Sequence, residues 1–98
     1  MHMVIRTYTG TGAKELFDVL KERAADVESV MRSVKGFVSY TLARTGDGGV
    51  AVTVCQDFAG AMESLQKAKE WVAKNAGHTG VGAPKASDGV VIIHASAG

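Results

Sequence analysis

The chain has 98 residues, of which 46 % are hydrophobic and 21 % are charged, and its formal net charge is +1 at pH 7. A nearly neutral chain has no basic field to hold a phosphate backbone, so nucleic acid is not expected as a partner. No apolar run reaches the ~20 residues that a membrane span needs, so no membrane association is expected. The single cysteine cannot form an internal disulfide, which favours a reducing, cytoplasmic location. We expect one domain over residues 1–98.

The first third of the chain predicts a strand followed by a long helix. Residues 3–8, MVIRTY, are β-branched and aromatic and are typical of a strand, and TGTG then breaks it. An apolar stripe at helical spacing predicts a single helix over residues 13–34, which Gly36 would cap. The stripe consists of Leu16, Leu20, Val27, Met31 and Val34.

The middle of the chain predicts a β-hairpin. Its strands are FVSYTLART, residues 37–45, and GVAVTVCQDF, residues 49–58. Between them, Asp47-Gly48 is typical of a two-residue type I′ turn, because both positions of that turn need a positive φ. This turn predicts a register in which Tyr40 lies opposite Cys55 and Thr41 lies opposite Val54.

The last third predicts a helix, a long loop and a final strand. The helix covers about residues 60–76, the loop 77–89 contains the only proline, and GVVIIHAS, residues 89–96, is the strand. The order β-α-β-β-α-β predicts a ferredoxin-like α+β fold, in which a four-stranded antiparallel sheet carries two helices on one face.

The two faces of this sheet are both expected to be apolar. Val50, Val52 and Val54 form the more uniform set, and we assign them to the face beneath the helices. The opposite face would then carry Tyr40 and Cys55, and the last strand is apolar on both sides. A sheet that is apolar on its free face needs another sheet against it, so we expect a homodimer joined through its sheet faces.

Two segments carry a resemblance to a known family. KGF lies between the first helix and the second strand, and VTVCQDFAGAMESL runs from the third strand into the second helix. Together with the length, they make the whole chain similar to the antibiotic biosynthesis monooxygenase-like family, the dimeric α+β barrels. The resemblance implies a dimer and oxygenase-like activity without a cofactor, because members include cofactor-independent oxygenases of polycyclic aromatics. Trp71 and, more loosely, His78 resemble residues of its haem-degrading branch, whereas the strand-one asparagine of that branch is missing.

Five residues are candidates for lining a small-molecule pocket. Arg6 and His94 are polar residues at near-central strand positions, and a polar side chain inside a sheet needs a partner. Trp71 lies at the edge of the second helix's apolar stripe, where it could wall a pocket or cover the core. Tyr40 lies on a sheet face, and His78 lies in the long loop, where function often concentrates.

Neither a nucleophilic cysteine nor a metal site is expected. Cys55 has no histidine beside it in the predicted register, and a free cysteine without a base is usually a small buried residue. His2, His78 and His94 lack the close spacing of metal ligands, so we predict no metal. The family resemblance implies that no cofactor is needed.

These candidates lead to one leading hypothesis and two alternatives. In the leading one, an aromatic substrate occupies a pocket between sheet and helices that the 77–89 loop closes. Arg6 would stabilise the substrate anion, Tyr40 or His94 would handle the proton, and Trp71 would wall the pocket. The alternatives are a non-catalytic dimer that binds a ligand or another protein, and a purely structural dimer with a filled core.

Overall fold

The protein folds into a four-stranded antiparallel sheet with its helices on one face, in a computed structural model that describes residues 1–97. The elements are β1 (His2–Tyr8), α1 (Ala13–Glu22), α2 (Ala24–Arg32), β2 (Phe37–Thr45), β3 (Gly48–Cys55), α3 (Phe58–Asn75), a 3₁₀ turn (Gly77–Thr79) and β4 (Lys85–Val90). The strand order is β2-β3-β1-β4, so β1 lies inside the sheet and β2 and β4 form its edges. The predicted ferredoxin-like α+β fold is confirmed.

The predicted first helix is divided into two. Arg23 has φ −103° and ψ 27°, outside the helical region, so α1 ends before it and α2 begins after it. Leu20 on α1 and Val27 on α2 are both buried in the same core. Because the apolar stripe continues across the break, the sequence pattern shows no interruption there.

The hairpin turn lies one residue earlier than predicted. Thr45 pairs with Gly48, so the two turn residues are Gly46 and Asp47. Only Gly46 has a positive φ, at +56°, which fits a turn with glycine at its first central position. The register is consequently shifted by two residues, and Tyr40 lies opposite Thr53 rather than Cys55. A shift of two keeps every side chain on its face but changes its partner.

The assignment of the two sheet faces was wrong. Ala51, Thr53 and Cys55 are buried on the face that the helices cover, whereas Val50 and Val52 are only half-buried on the open face. Val54, which pairs with Met3, shares the open face but is 5 % exposed. The cause is the closeness of the helices. The Phe17 ring of α1 occupies the space that a Cβ atom at Gly49 would need, so small residues are required along β3 on this face.

The last strand also lies earlier than predicted, at residues 85–90 instead of 89–96. Val90 pairs with His2, and the Val91 N–H donates to the Met1 carbonyl oxygen at 3.0 Å. Antiparallel pairing with β1 ends at this point. Among residues 1–97, the apolar residues beyond it belong to no strand, and Ile92 is 93 % exposed.

The helix α3 begins earlier than expected, at Phe58, and β3 ends at Cys55 instead of extending to residue 58. The Asp57 side chain caps the helix by accepting the Gly60 N–H at 2.8 Å, which satisfies one of the free donors of its first turn. Within residues 1–97, no helix combines the length and the apolar character needed to cross a membrane.

The close approach of α1 to β3 gives a stability prediction. Gly49→Ala should lower the free energy of unfolding by about 2 kcal/mol or more, because its Cβ would overlap the Phe17 ring and overpacking of this kind is costly. Gly82→Ala is the matched control, since a Cβ there meets no atom within 4 Å. Urea denaturation of both variants measures the difference, and equal midpoints would contradict this account of the sheet face.

Candidate functional site

Three neighbouring hollows lie between the sheet and the helices. The α3–β4 hollow, about 490 Å³, is bounded by α3, β1, β4 and residues 76–84. The β2 hollow, about 590 Å³, lies between α1, α2 and β2. A central hollow of only about 20 Å³ lies between them. It shares the lining residues Arg6, Tyr8 and Val72 with the α3–β4 hollow, and it shares Tyr40 with the β2 hollow. The central hollow therefore separates two larger spaces.

Arg6 forms the floor shared by the α3–β4 hollow and the central hollow. It lies on β1 between Ala51 of β3 and Ala86 of β4, whose small side chains leave room for it. It is only 4 % exposed, and its Nη1 donates a hydrogen bond to the Tyr8 hydroxyl at 2.9 Å. Tyr8 is itself buried, and its ring lies against the guanidinium at 5.9 Å from its centroid.

Among residues 1–97, no carboxylate lies within ion-pair distance of Arg6. None of the ion pairs among residues 1–97 includes Arg6, although five other ion pairs are present. Taking an ion out of water without an opposite charge costs several kcal/mol, even after the surroundings relax. A fold that keeps such a group usually has a use for it, and a guanidinium is well suited to binding an anion.

Tyr40 lies on the other side of the central hollow, on β2. Burial raises the pKa of its hydroxyl above the ordinary value of 10.0, and the nearby Arg6 charge opposes this only in part. Tyr40 is consequently neutral at physiological pH and can donate a hydrogen bond, but it is a poor base.

Trp71 also lines the central hollow, with its indole N–H directed away from a ligand role. The Nε1 atom donates to Asp26 Oδ2 at 2.9 Å, and Arg23 Nη2 donates to the same oxygen at 3.1 Å. The Arg23 guanidinium lies 5.7 Å from the centroid of the indole ring. The break between α1 and α2 thus places two residues of the break region, Arg23 and Asp26, against α3.

The two histidine candidates lie apart from this group. His78 is exposed on the 3₁₀ turn, and His94 is exposed beyond the end of β4, so neither lines any of the three hollows. The predicted near-central strand position of His94 is wrong, because β4 ends at Val90, and Ala86 is the β4 residue that pairs with Arg6. The structure therefore brings together Arg6, Tyr40 and Trp71, but not the histidines.

Cys55 is a buried residue of the helix-covered face. Burial raises the pKa of its thiol, and Asp57 and Glu63 raise it further, so the reactive thiolate is disfavoured. A histidine does lie opposite it in the register, contrary to expectation, but His2 Nε2 is hydrogen-bonded to Asp88 Oδ2 at 2.6 Å. Within residues 1–97, no three potential metal ligands cluster together.

Several lining residues of the α3–β4 hollow were not predicted. Tyr8 could have been found, because it lies two residues after Arg6 on β1 and therefore shares its face. The loop residues Val81 and Pro84 could not, since the path of an irregular loop leaves no periodic signal in the sequence. The same holds for Lys69 at this hollow, because an exposed helix lysine is normally just solvated.

No protein-family model matches the chain, and no curated protein matches it in sequence. Solved structures do match it. A Chloroflexus aurantiacus protein assigned as an antibiotic biosynthesis monooxygenase is 18 % identical with a TM-score of 0.63, covering 99 % of this chain and 98 % of that chain. SnoaB from Streptomyces nogalater, a cofactor-independent oxygenase, is 19 % identical with a TM-score of 0.61, covering 95 % and 94 %.

A third similar structure is a dimeric ferredoxin-like protein from an uncultured marine organism. It is 13 % identical to this chain with a TM-score of 0.65, and the match covers 97 % of this chain and 95 % of that chain. Structural neighbours of this chain are thus antibiotic biosynthesis monooxygenase-like proteins, which confirms the resemblance seen in the sequence. At these identities the likeness establishes the fold that the chain shares with them.

The environment of Tyr40 gives a prediction for alkaline pH. In the folded wild-type protein, the ionisation of Tyr40 should have a midpoint above 10.0, followed by the NMR chemical shift of its own ring carbons. Because the folded state holds the proton more tightly than the unfolded state, the stability linked to Tyr40 is complete below about pH 10 and is lost as the pH rises further. A midpoint at or below 10.0 would show that Tyr40 is not buried as described.

Proposed function

We propose that the α3–β4 hollow binds an aromatic small molecule and that the protein is a cofactor-independent monooxygenase-like enzyme. One observation carries this proposal: a hollow of about 490 Å³, within the usual range for small ligands, has a buried guanidinium in its floor. The walls are largely apolar and include Leu65, Val72, Ala73, Val81 and Pro84. The fold, which SnoaB shares, supports the oxygenase part of the proposal.

In this mechanism the protein stabilises an electron-rich anion of the substrate. Arg6 holds the negative charge, and its hydrogen bond to Tyr8 fixes the guanidinium in place. Tyr40 and Trp71 close the inner side of the site. Neither His78 nor His94 has a role in proton transfer in this proposal, because both side chains are exposed and line none of the three hollows.

The proposed reaction needs only the substrate and molecular oxygen. A ring carbon whose proton has passed to the solvent donates electrons to oxygen, and a carbon–oxygen bond forms to give a peroxide. The oxygen–oxygen bond then breaks as the second hydrogen leaves that carbon. One oxygen atom remains as a carbonyl, and the other leaves as water with the two hydrogens, so the substrate supplies all the electrons.

The runner-up is a non-catalytic protein that binds a ligand in the same hollow. One observation favours it: among the described residues that line the α3–β4 hollow there is no histidine and no carboxylate to act as a base. This alternative predicts saturable binding without any consumption of oxygen or ligand.

Oxygen uptake with hydroxylated polycyclic aromatics tests the enzyme. We expect the wild type to consume one molecule of oxygen for each ketone formed. Ala73→Trp should reduce the rate by at least about tenfold, because the new ring fills the hollow that Ala73 lines. Ala59→Trp is the matched control, since Ala59 is an exposed alanine of the same helix outside the hollow. A flat oxygen trace with the wild type would contradict the enzyme and leave the runner-up.

We also propose that the protein is a homodimer whose protomers meet through the open sheet faces, located in the cytoplasm. Half-buried apolar side chains cover this face, namely Met3, Ile5, Val50 and Val52. The similar ferredoxin-like protein is dimeric. The reducing location is supported by the free Cys55.

The dimer gives a further prediction. Val52→Lys should shift the protein to a monomer in sedimentation velocity, because a charge placed in a packed apolar interface is desolvated without a partner. Val52→Thr keeps the shape of the side chain and is expected to remain largely dimeric. A wild type that sediments as a monomer, or a Val52→Lys variant that stays dimeric, would contradict an interface on this face.

A further inference from the structure

We infer that the ligand of the α3–β4 hollow enters it already ionised: an aromatic acid, either a carboxylate or a strongly acidic phenol, whose anionic oxygen binds Arg6. This inference rests on the hollow of the proposed function, but it does not depend on turnover. It restricts the class of ligand to anions, whereas the fold and the structural relatives do not specify the charge of the ligand.

The first step is the demand for a negative charge. Arg6 is buried, is positively charged at any physiological pH and has no carboxylate within ion-pair distance among residues 1–97. Its hydrogen bond to Tyr8 uses one of the five N–H donors of the guanidinium. An anionic oxygen in the hollow would supply the missing counter-charge through charge-assisted hydrogen bonds.

The second step is the lack of a group that could create this charge inside the hollow. Its titratable lining residues are Arg6, Tyr8 and Lys69. Arg6 cannot accept a proton, the Tyr8 hydroxyl oxygen already accepts the Arg6 hydrogen bond, and a lysine ammonium group has three donors and no acceptor. A neutral phenol would therefore have to lose its proton with no base to take it.

The third step is the match between the walls and a ring-bearing acid. The apolar side chains of Leu65, Val72 and Val81 surround the space above Arg6 and favour an apolar body. Lys69 at the same hollow adds a second, solvated positive charge that attracts anions. No negative side chain among the described lining residues opposes this attraction.

Isothermal titration calorimetry at neutral pH tests the inference with ligands of matched shape. 2-Naphthoate carries a carboxylate, 2-naphthamide is its neutral counterpart, and pentafluorophenol provides an ionised phenol. We expect wild-type protein to bind 2-naphthoate at least about tenfold more tightly than 2-naphthamide, because hydrogen bonds to charged groups are the stronger ones. Binding of pentafluorophenol would add phenolates to the class, and its absence would restrict the class to carboxylates.

The variants assign this preference to Arg6. Arg6→Met should bring the two naphthalene ligands to within about twofold of each other, while Arg6→Lys should keep a reduced preference, since lysine retains the charge without the fork geometry. Arg32→Met is the matched control, because Arg32 is exposed, is paired with Glu28 and does not line the α3–β4 hollow. Circular dichroism tests whether each variant is folded. If Arg6→Met does not fold, the affinities of Arg6→Lys and Tyr8→Phe for the two naphthalene ligands decide whether the preference depends on Arg6.

Three results would overturn the inference. They are equal affinity of the wild type for both naphthalene ligands, no saturable binding of either, and a preference for 2-naphthoate that all the folded Arg6 and Tyr8 variants retain in full. 2-Naphthoate has no carbon that the proposed reaction could oxidise, so its binding is measured independently of turnover. Arg6-dependent binding of 2-naphthoate together with no oxygen uptake would thus contradict the proposed oxygenase activity and support the inference that the ligand is an anion.

Discussion

The alternation of side chains along β1 is the constraint on which the site depends. Because β1 lies inside the sheet, pairing with both β3 and β4, its register is fixed on two sides. Val4, Arg6 and Tyr8 must then all lie beneath the helices, and a slip of one residue would place the guanidinium on the open face. Burying the unpaired Arg6 guanidinium is unfavourable by itself. The apolar packing of Val4 and Tyr8 fixes β1 in the register that keeps Arg6 beneath the helices.

The order of the elements could be read from the sequence, but the faces of the sheet could not. Local patterns of β-branched residues, helical stripes and glycines predict which segments are strands and helices. Hydropathy alone put Val50 and Val52 beneath the helices, and the structure has Ala51 and Thr53 there. The deciding factor is volume, because a helix that approaches the sheet closely requires small residues, and the sequence does not show how close that helix comes.

Two residues of the site could be predicted because their type is unusual for their position. Arg6 is a charged residue within a strand, and Trp71 is a large aromatic residue at the edge of the apolar stripe of a helix. The apolar run around His94 predicts a strand there, whereas β4 ends at Val90 and its last hydrogen bond to the β1 side is that of Val91. Strand ends depend on the length of the neighbouring strand, and no local pattern contains that information.

The position of β1 has a consequence for the order in which the chain can fold. Its neighbours in the sheet, β3 and β4, begin 46 and 83 residues after β1 begins, whereas β2 and β3 form a local hairpin. Contacts between distant segments carry a large loop-closure cost and form slowly. During synthesis, β1 is therefore made before either of its sheet partners, and its pairing with β4 can form only after residues 85–90 have been made.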